Sequence, residues 1–554
     1  MGKPDIEGIS LRMENIWRAA ELRTMQDIVR RIKKEGRITS TADYQINRLL
    51  ELGKSTEEVE RILKEALNAT YPEMFELYDE VANWQYVRNR DVYEQVNGRF
   101  IPPEENEWLQ KMSEAVKRQT KDELVNLAQS YGFSVMIGNR RVFTPFSMYY
   151  HKYVDAAIVD IISGSFDYNT VIRRAVKQMT NSGLRTVDYA TGRSSRVDVA
   201  VRRAVMTGVS QITGKINERT AKELGTDYFE VDWHANARPS HREWQGKVYS
   251  KEELETVCGL HTVTGLCGAN CRHSYYAFVP GASKRMYPDE WLEEQNRREA
   301  ETKAWQGKEY DAYGRTQKQR QMETAMRAQR EKVQLLKDSG ADKDEVMLAR
   351  CKYQAQLNEY SRYCKKMKLP EQRQRIYYDM RGRVAPGKET MGRFPREMIK
   401  NAEKDIKQYE KYKNIVGKEV GSLANFGEIK YNNLEKYAIL VKKAETYSEI
   451  NKKEWAEEFK QKSKEAYDRF AKEDIYLSTH ALSRLPRLNK KGYTEVSEEH
   501  VIDILKGKPN YMEDDKKIVY FDSGLQLSII QNKETGDIVS IVRRKNPKEG
   551  WRNV

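Results

Sequence analysis

Residues able to ligate, attack or move protons are concentrated in one stretch: four of the seven histidines and three of the five cysteines fall between His234 and His273. Thiolate and imidazole are the preferred donors for tetrahedral zinc. Cys267, Cys271 and His273 bring three such donors close together, and Cys258, His241 or His261 can complete the set. One reading is a structural zinc on Cys258, Cys267, Cys271 and His273, and no other cofactor is expected. Three residues separate Cys267 from Cys271, which is not the familiar Cys-x-x-Cys pair, so a second reading stands beside the first. In it, Cys271 packs as a small hydrophobe while His273 and Asn270 satisfy buried backbone groups in a tight turn. A Cys–His nucleophile would also need an orienting third group and oxyanion donors, and no residue pattern supplies them.

A second chemical grouping lies near the C-terminus. His480 and Arg484 are four apart in Ser478-Thr-His-Ala-Leu-Ser-Arg484, so a helix projects both from one face. RNA cleavage without metal needs a base for the 2′-hydroxyl, an acid for the leaving oxygen and cations for the phosphorane. His480, Arg484, Arg487 and Arg543 are the candidates, with Arg544 and Lys545 widening a basic cleft. His500 lies in a polar helix turn and reads as solvated. The alternative is a helix whose Arg484 only caps or pairs with nearby acids. Arg202 and Arg203, like the lysines between 403 and 464, read as solvated charge rather than a phosphate site.

These groups must be positioned by a chain of 554 residues, too long for one core and suited to several domains. With 39% hydrophobic and 32% charged residues it should fold as pieces with much solvated surface, and a net charge of +14 favours acidic or phosphate-bearing partners such as DNA. Five cysteines do not make a disulfide framework and fit a reducing cytosol. No run approaches the roughly 20 apolar residues of a membrane span, and the first residues lack a secretory stretch, so membrane and classical export routes are not expected.

The expected fold is multidomain and mainly α, with a small central α+β unit, a helical hairpin and a C-terminal α+β domain of two helices followed by an antiparallel sheet. Residues 1–225 read as helices: one over 14–31, one opened by a Ser55/Glu58 capping box and broken at Tyr71-Pro72, and others near 105–131, 144–163, 168–181 and 196–224. Residues 226–285 read as a loop-rich unit with short strands. In 286–380, Met322, Met326, Gln329, Val333 and Leu336 form a coiled-coil seam. A second capping box at Asp342/Glu345 opens its antiparallel partner, which carries Val346, Ala349, Tyr353, Leu357, Tyr360 and Cys364. Residues 381–395 read as a linker, lysine-rich helices run to 473, and 474–554 form the last domain. Its turns at Asp522-Ser-Gly524 and Thr535-Gly536-Asp537 call for positive φ at glycine. Trp305-Gln306-Gly307-Lys308 echoes Trp244-Gln245-Gly246-Lys247, but two copies make no solenoid, and it reads as an aromatic beside a glycine turn.

Several of these stretches together resemble the minor capsid protein family of tailed bacteriophages of Gram-positive hosts. They are Val187-Asp-Tyr-Ala-Thr-Gly-Arg193, Val197 to Gly208, Ala237-Arg238-Pro239-Ser240-His241 with Trp244-Gln245-Gly246-Lys247, and Asn270-Cys271-Arg272-His273, running on to Tyr310–Tyr313 and Gln317–Glu323. The resemblance spans roughly 10–385. It implies a virion protein at the portal vertex, made in the bacterial host cytoplasm and acting in head assembly, DNA packaging or ejection. Portal, capsid and scaffold proteins would be its partners, with phage DNA held by non-specific charge. Residues 474–554, with their His-Ala-x-x-Arg opening, resemble the barnase-EndoU-colicin-RelE group of metal-independent ribonucleases. This implies an RNA-cutting toxin tail with an RNA substrate and an immunity protein; the alternative is a purely structural virion protein whose last domain is inert.

Overall fold

The computed structural model describes residues 4–36, 41–95, 98–163, 167–187, 192–268, 271–378, 382, 384–489 and 493–554. They form two compact units, residues 1–392 and 393–554. The architecture is mainly helical, with small antiparallel sheets.

In the first unit the helix Ile6–Glu35 is central. Asp5 caps it by accepting from the Gly8 N–H at 2.9 Å. Its buried residues include Met13, Trp17, Met25, Ile28 and Ile32, and it packs on the helices Thr41–Arg88, Val197–Glu223 and Ala312–Ser339. The Thr41–Arg88 helix departs from the expected break: it runs unbroken through Ser55 and carries Pro72 inside it. Ser55 is not a cap because its hydroxyl donates to Asp27 Oδ2 at 2.7 Å in the buried seam between the two helices. Near Pro72, Trp17 Nε1 donates to Thr70 Oγ1 at 3.0 Å. Buried packing on both sides of the proline, at Leu67, Met74, Leu77 and Tyr78, outweighs the lost backbone bond.

The hairpin forms as expected from Ala312–Ser339 and Lys343–Met367, turning at Gly340 with φ 77°. Only half of the second capping box appears. Asp342 accepts from the Asp344 N–H at 2.8 Å, while Glu345 accepts from Arg173 Nε at 3.1 Å. The hairpin does not stand as a free coil, since Ala312–Ser339 also packs on Ile6–Glu35 and Tyr168–Ser182. Arg327, Arg330 and Glu331 are buried there. A network of charges fills the seam: Arg18 Nε donates to Asp198 Oδ2 at 2.9 Å and a second guanidinium nitrogen to Glu14, Arg202 donates to Glu14 at 2.6 Å, and Arg196 lies 3.8 Å from Glu21. Arg202 is thus a core ion-pair partner, not part of a solvated face.

Three small sheets complete this unit. Strands β1 (Tyr131–Ile137), β2 (Arg140–Pro145), β3 (Arg185–Val187) and β4 (Ser194–Arg196) pair in the order β2-β1-β3-β4, largely in the gaps between the expected helices of a region that read as mostly α. Strands β5 (Tyr228–Val231), β6 (Val248–Ser250) and β7 (Tyr275–Phe278) form the antiparallel sheet β6-β5-β7. Strands β8 (Lys303–Trp305) and β9 (Lys308–Tyr310) are a hairpin whose turn residues Gln306 and Gly307 both have positive φ, which explains the second Trp-Gln-Gly.

In the second unit the helices Leu434–Lys452 and Glu457–Ala471 share one core with the C-terminal sheet through Tyr447, Ile450, Tyr467, Phe470, Leu482, Val501, Ile529 and Ile541. The helices Thr479–Arg484 and Glu498–Lys506 precede β10 (Tyr511–Asp514), β11 (Lys517–Asp522), β12 (Leu527–Asn532) and β13 (Ile538–Arg543), with β14 (Arg552–Asn553) closing the order β13-β12-β11-β10-β14. Gly536 turns with φ 74° as expected, whereas in the preceding turn Gln526, not Gly524, takes positive φ, at 53°.

The charge seam makes the first unit sensitive to pH. Burial, reinforced by Glu331 and Asp198 and partly offset by Arg196, pushes the Glu21 carboxyl up to about 8. The folded chain then holds a proton that the unfolded chain has released, so this group lowers stability as pH rises from about 4.5 to about 8. Urea midpoints of the first unit should decline over that range in the parent chain and stay flatter in Glu21→Gln. Asp198→Ala, which strips Arg18 of one of its two carboxylates, should cost roughly 3–5 kcal/mol by the same measurement.

Candidate functional site

The sheet β6-β5-β7 sets up the Cys/His cluster. The end of β5 and the start of β7 meet at the register pair Val231–Tyr275, so the segments after β5 and before β7 leave the sheet on the same side. After β5, the chain reaches a short helix, Pro239–Arg242, with Pro239 in its first turn and Arg238 at its cap. This helix presents His241. It is followed by Trp244, Gln245 and Gly246, whose N–H returns to the Val231 carbonyl at 3.0 Å. Gly246 is required twice over: its φ is 76°, and a Cβ there would stand 2.4 Å from Leu292 Cδ2. Before β7, the loop from Cys258 closes on itself, with the Leu266 N–H on the Cys258 carbonyl at 2.9 Å. Gly265 lies so near Gly259 that a Cβ would be 2.1 Å from its carbonyl oxygen. That closure brings Cys271 and His273 beneath His241.

Three donor atoms meet there. His241 Nδ1 lies 3.4 Å from His273 Nδ1, Cys271 Sγ lies 3.5 Å from His273 Nδ1, and Cys271 Sγ lies 3.8 Å from His241 Nδ1. All three residues are buried. The far ring nitrogens are held by oxygen acceptors: His241 Nε2–H donates to the Thr264 carbonyl at 2.8 Å, and His273 Nε2–H to Gln245 Oε1 at 2.8 Å. Gln245 Oε1 also accepts from the His234 N–H at 3.1 Å, which fixes the carboxamide orientation. Trp244 covers the pair, its ring centroid 4.5 Å from that of His241 and 4.9 Å from that of His273.

Burial dominates the electrostatics. It drives the His273 imidazole down to about 2, with His234, His241 and Arg238 adding to the effect, and it lowers His241 as well. Burial raises the Cys271 thiol despite hydrogen bonds from the His273 and Cys267 backbone. A raised thiol is the opposite of what an uncomplexed nucleophile needs, so the cluster is poorly suited to Cys–His attack.

The remaining sequence candidates fall elsewhere. Cys258 is buried in the apolar core of this unit, its thiol pushed up to about 12 by burial, and it stands apart from the three clustered donors. Cys267 has φ 57° and directs Sγ toward the His273 carbonyl at 3.5 Å. His261 is exposed, and Asn270 lies outside the described residues. Arg238, Pro239, Trp244, Gln245 and Gly246 all build the wall around His241. Two contributors escaped the sequence reading: the Thr264 carbonyl, which as backbone leaves no residue-type signal, and Gln245 as a ring-orienting acceptor, whose one signal was its place in Trp-Gln-Gly.

In the second unit, exposed His480 lies beside Arg484, with Arg484 Nε 3.5 Å from His480 Nε2, and Arg487 is exposed one turn on. Arg543 is engaged with backbone: it donates to the carbonyls of Leu488, Leu525 and Thr494 and stacks over Tyr493. Its guanidinium is thus taken up by backbone carbonyls and is not a spare cation. His500 completes a capping box, its Nδ1 accepting from the Ser497 N–H at 3.2 Å.

A family model described as Phage minor capsid protein 2 matches residues 4–362, which include the whole Cys/His cluster and end before the second unit. Among curated proteins and solved structures none matches the chain.

Gly246→Ala should destabilise the first unit by about 1–2 kcal/mol from backbone conformation alone, and by more through the Leu292 contact. Adding Leu292→Ala tests the division: it should relieve the clash while leaving the conformational cost, read as non-additive shifts in the urea midpoint.

Proposed function

The chain belongs to the phage minor capsid protein 2 family, and is thus a structural protein of the phage head, found in the virion; we propose that it occupies the portal vertex and acts in head assembly or in DNA packaging and ejection. What carries this reading is the match over residues 4–362, in which long helices are joined by buried ion pairs into one compact unit. Such a body suits binding to portal, capsid and scaffold proteins better than turnover in a cavity. The net charge of +14 supports non-specific contact with the packaged genome.

A second reading concerns residues 474–554. In it they cut RNA without metal, with His480 moving the proton and Arg484 and Arg487 binding phosphate, and an immunity protein guards the producing cell. The exposed His480–Arg484 pair supports it. The engagement of Arg543 with three carbonyls favours the alternative, an inert structural domain.

Cross-linking of purified virions followed by mass spectrometry should join this chain to the portal protein, and a chain spread evenly over the shell would overturn the vertex assignment. For the tail, the full chain expressed in bacteria should slow growth and degrade RNA in the presence of chelator, with His480→Ala abolishing both. A folded full chain that leaves growth and RNA untouched leaves the inert reading standing.

A further inference from the structure

We propose that His241, Cys271 and His273 bind one zinc(II) ion through Nδ1, Sγ and Nδ1.

The first ground is the direction of the lone pairs. The Nε2 atoms of both rings face oxygens that can only accept, the Thr264 carbonyl and a Gln245 carboxamide oxygen already fixed by the His234 N–H. Each neutral ring therefore carries its hydrogen on Nε2 and turns a bare Nδ1 inward. Two such nitrogens face each other at 3.4 Å. The Cys271 thiol hydrogen can serve one of them and not both, so without a cation one lone pair stays buried and unpaired.

The second ground is size. Zinc–nitrogen bonds of about 2.0–2.1 Å and a zinc–sulfur bond of about 2.3 Å, at tetrahedral angles, place two nitrogens about 3.3 Å apart and nitrogen about 3.6 Å from sulfur. The observed edges are 3.4, 3.5 and 3.8 Å. The third ground is the surrounding shell: ligating histidines commonly donate their other N–H to a carbonyl or carboxylate, which fixes the tautomer and ring orientation, and both rings here are held in that way.

Two nitrogens and one sulfur are a borderline-soft donor set suited to zinc. As the Sγ–zinc bond forms, the Cys271 proton leaves to solvent, so the thiolate offsets one of the two metal charges. Among the described residues no further Cys, His, Asp or Glu joins the three donors within 4.8 Å, and the fourth position falls to a ligand outside that set. The ion would pin the helix Pro239–Arg242 to the segment feeding β7. Cys258 and Cys267 have no part in it.

Full-length chain, stripped with chelator and dialysed against cobalt(II) or zinc(II), tests this directly. One equivalent of metal per chain is expected, and the cobalt form should show a thiolate-to-metal charge-transfer band of single-thiolate intensity. Cys271→Ser should lose the band, while Cys258→Ser and Cys267→Ser should keep it. Gln245→Ala should weaken affinity by about 10–100-fold in competition with a chromophoric chelator. Only trace metal in folded parent chain overturns the proposal, as does a band of two-thiolate intensity, which needs no variant to fold. A band that survives Cys271→Ser or vanishes in Cys258→Ser overturns it equally.

Discussion

The Arg18–Asp198 pair joins residues 180 positions apart and is fully enclosed, so the helix Ile6–Glu35 and the helix Val197–Glu223 cannot separate without stranding charge in the core. Glu14 and Arg202 extend the same network, and Arg196 and Arg327 carry it toward the hairpin beside the Glu21 and Glu331 carboxyls, which burial pushes toward their protonated form. A slip in register would leave an arginine or a carboxylate buried without its partner, at a cost of several kcal/mol. The ion pairs and the packed apolar side chains around them therefore disfavour the same displacements.

Sequence periodicity read the helices well wherever the apolar stripe was unambiguous, as in the hairpin and in Tyr168–Ser182. It failed where a polar residue had a long-range partner. Ser55 looked like a cap because nothing in its neighbourhood announces Asp27, and Pro72 looked like a break because local propensity is silent about what packs on either side. Arg202 looked solvated for the same reason, since its partners Glu7 and Glu14 lie nearly two hundred residues away. Strands β1 and β2 went unseen because a single short hairpin amid helices gives too few residues for an alternation to register.

At the Cys/His cluster, residue type marked the stretch, while two of the residues that spacing grouped, Cys258 and Cys267, lie outside the set of three clustered donors. Cys271 and His273 were legible as neighbours, and His241 was one of three candidates for completion. Choosing among them required the path of the loop: the left-handed backbone at Cys267 turns its sulfur to a carbonyl, and Cys258 drops into the apolar core. In the C-terminal unit the order of two helices and a hairpin sheet was readable from turns and alternation, whereas the fate of Arg543 was not, because backbone carbonyls leave no mark in a sequence.

The shared core of the second unit bears on how such genes change. Phe470, Tyr467 and Ile450 pack with Leu482 and Ile529, so the lysine-rich helices and the terminal sheet are one hydrophobic body. A recombination event with its junction near residue 474 would hand the recipient a sheet without its floor and leave the donor with apolar helices open to water. A junction that keeps this body whole lies near Gly392, where one compact unit ends and the next begins.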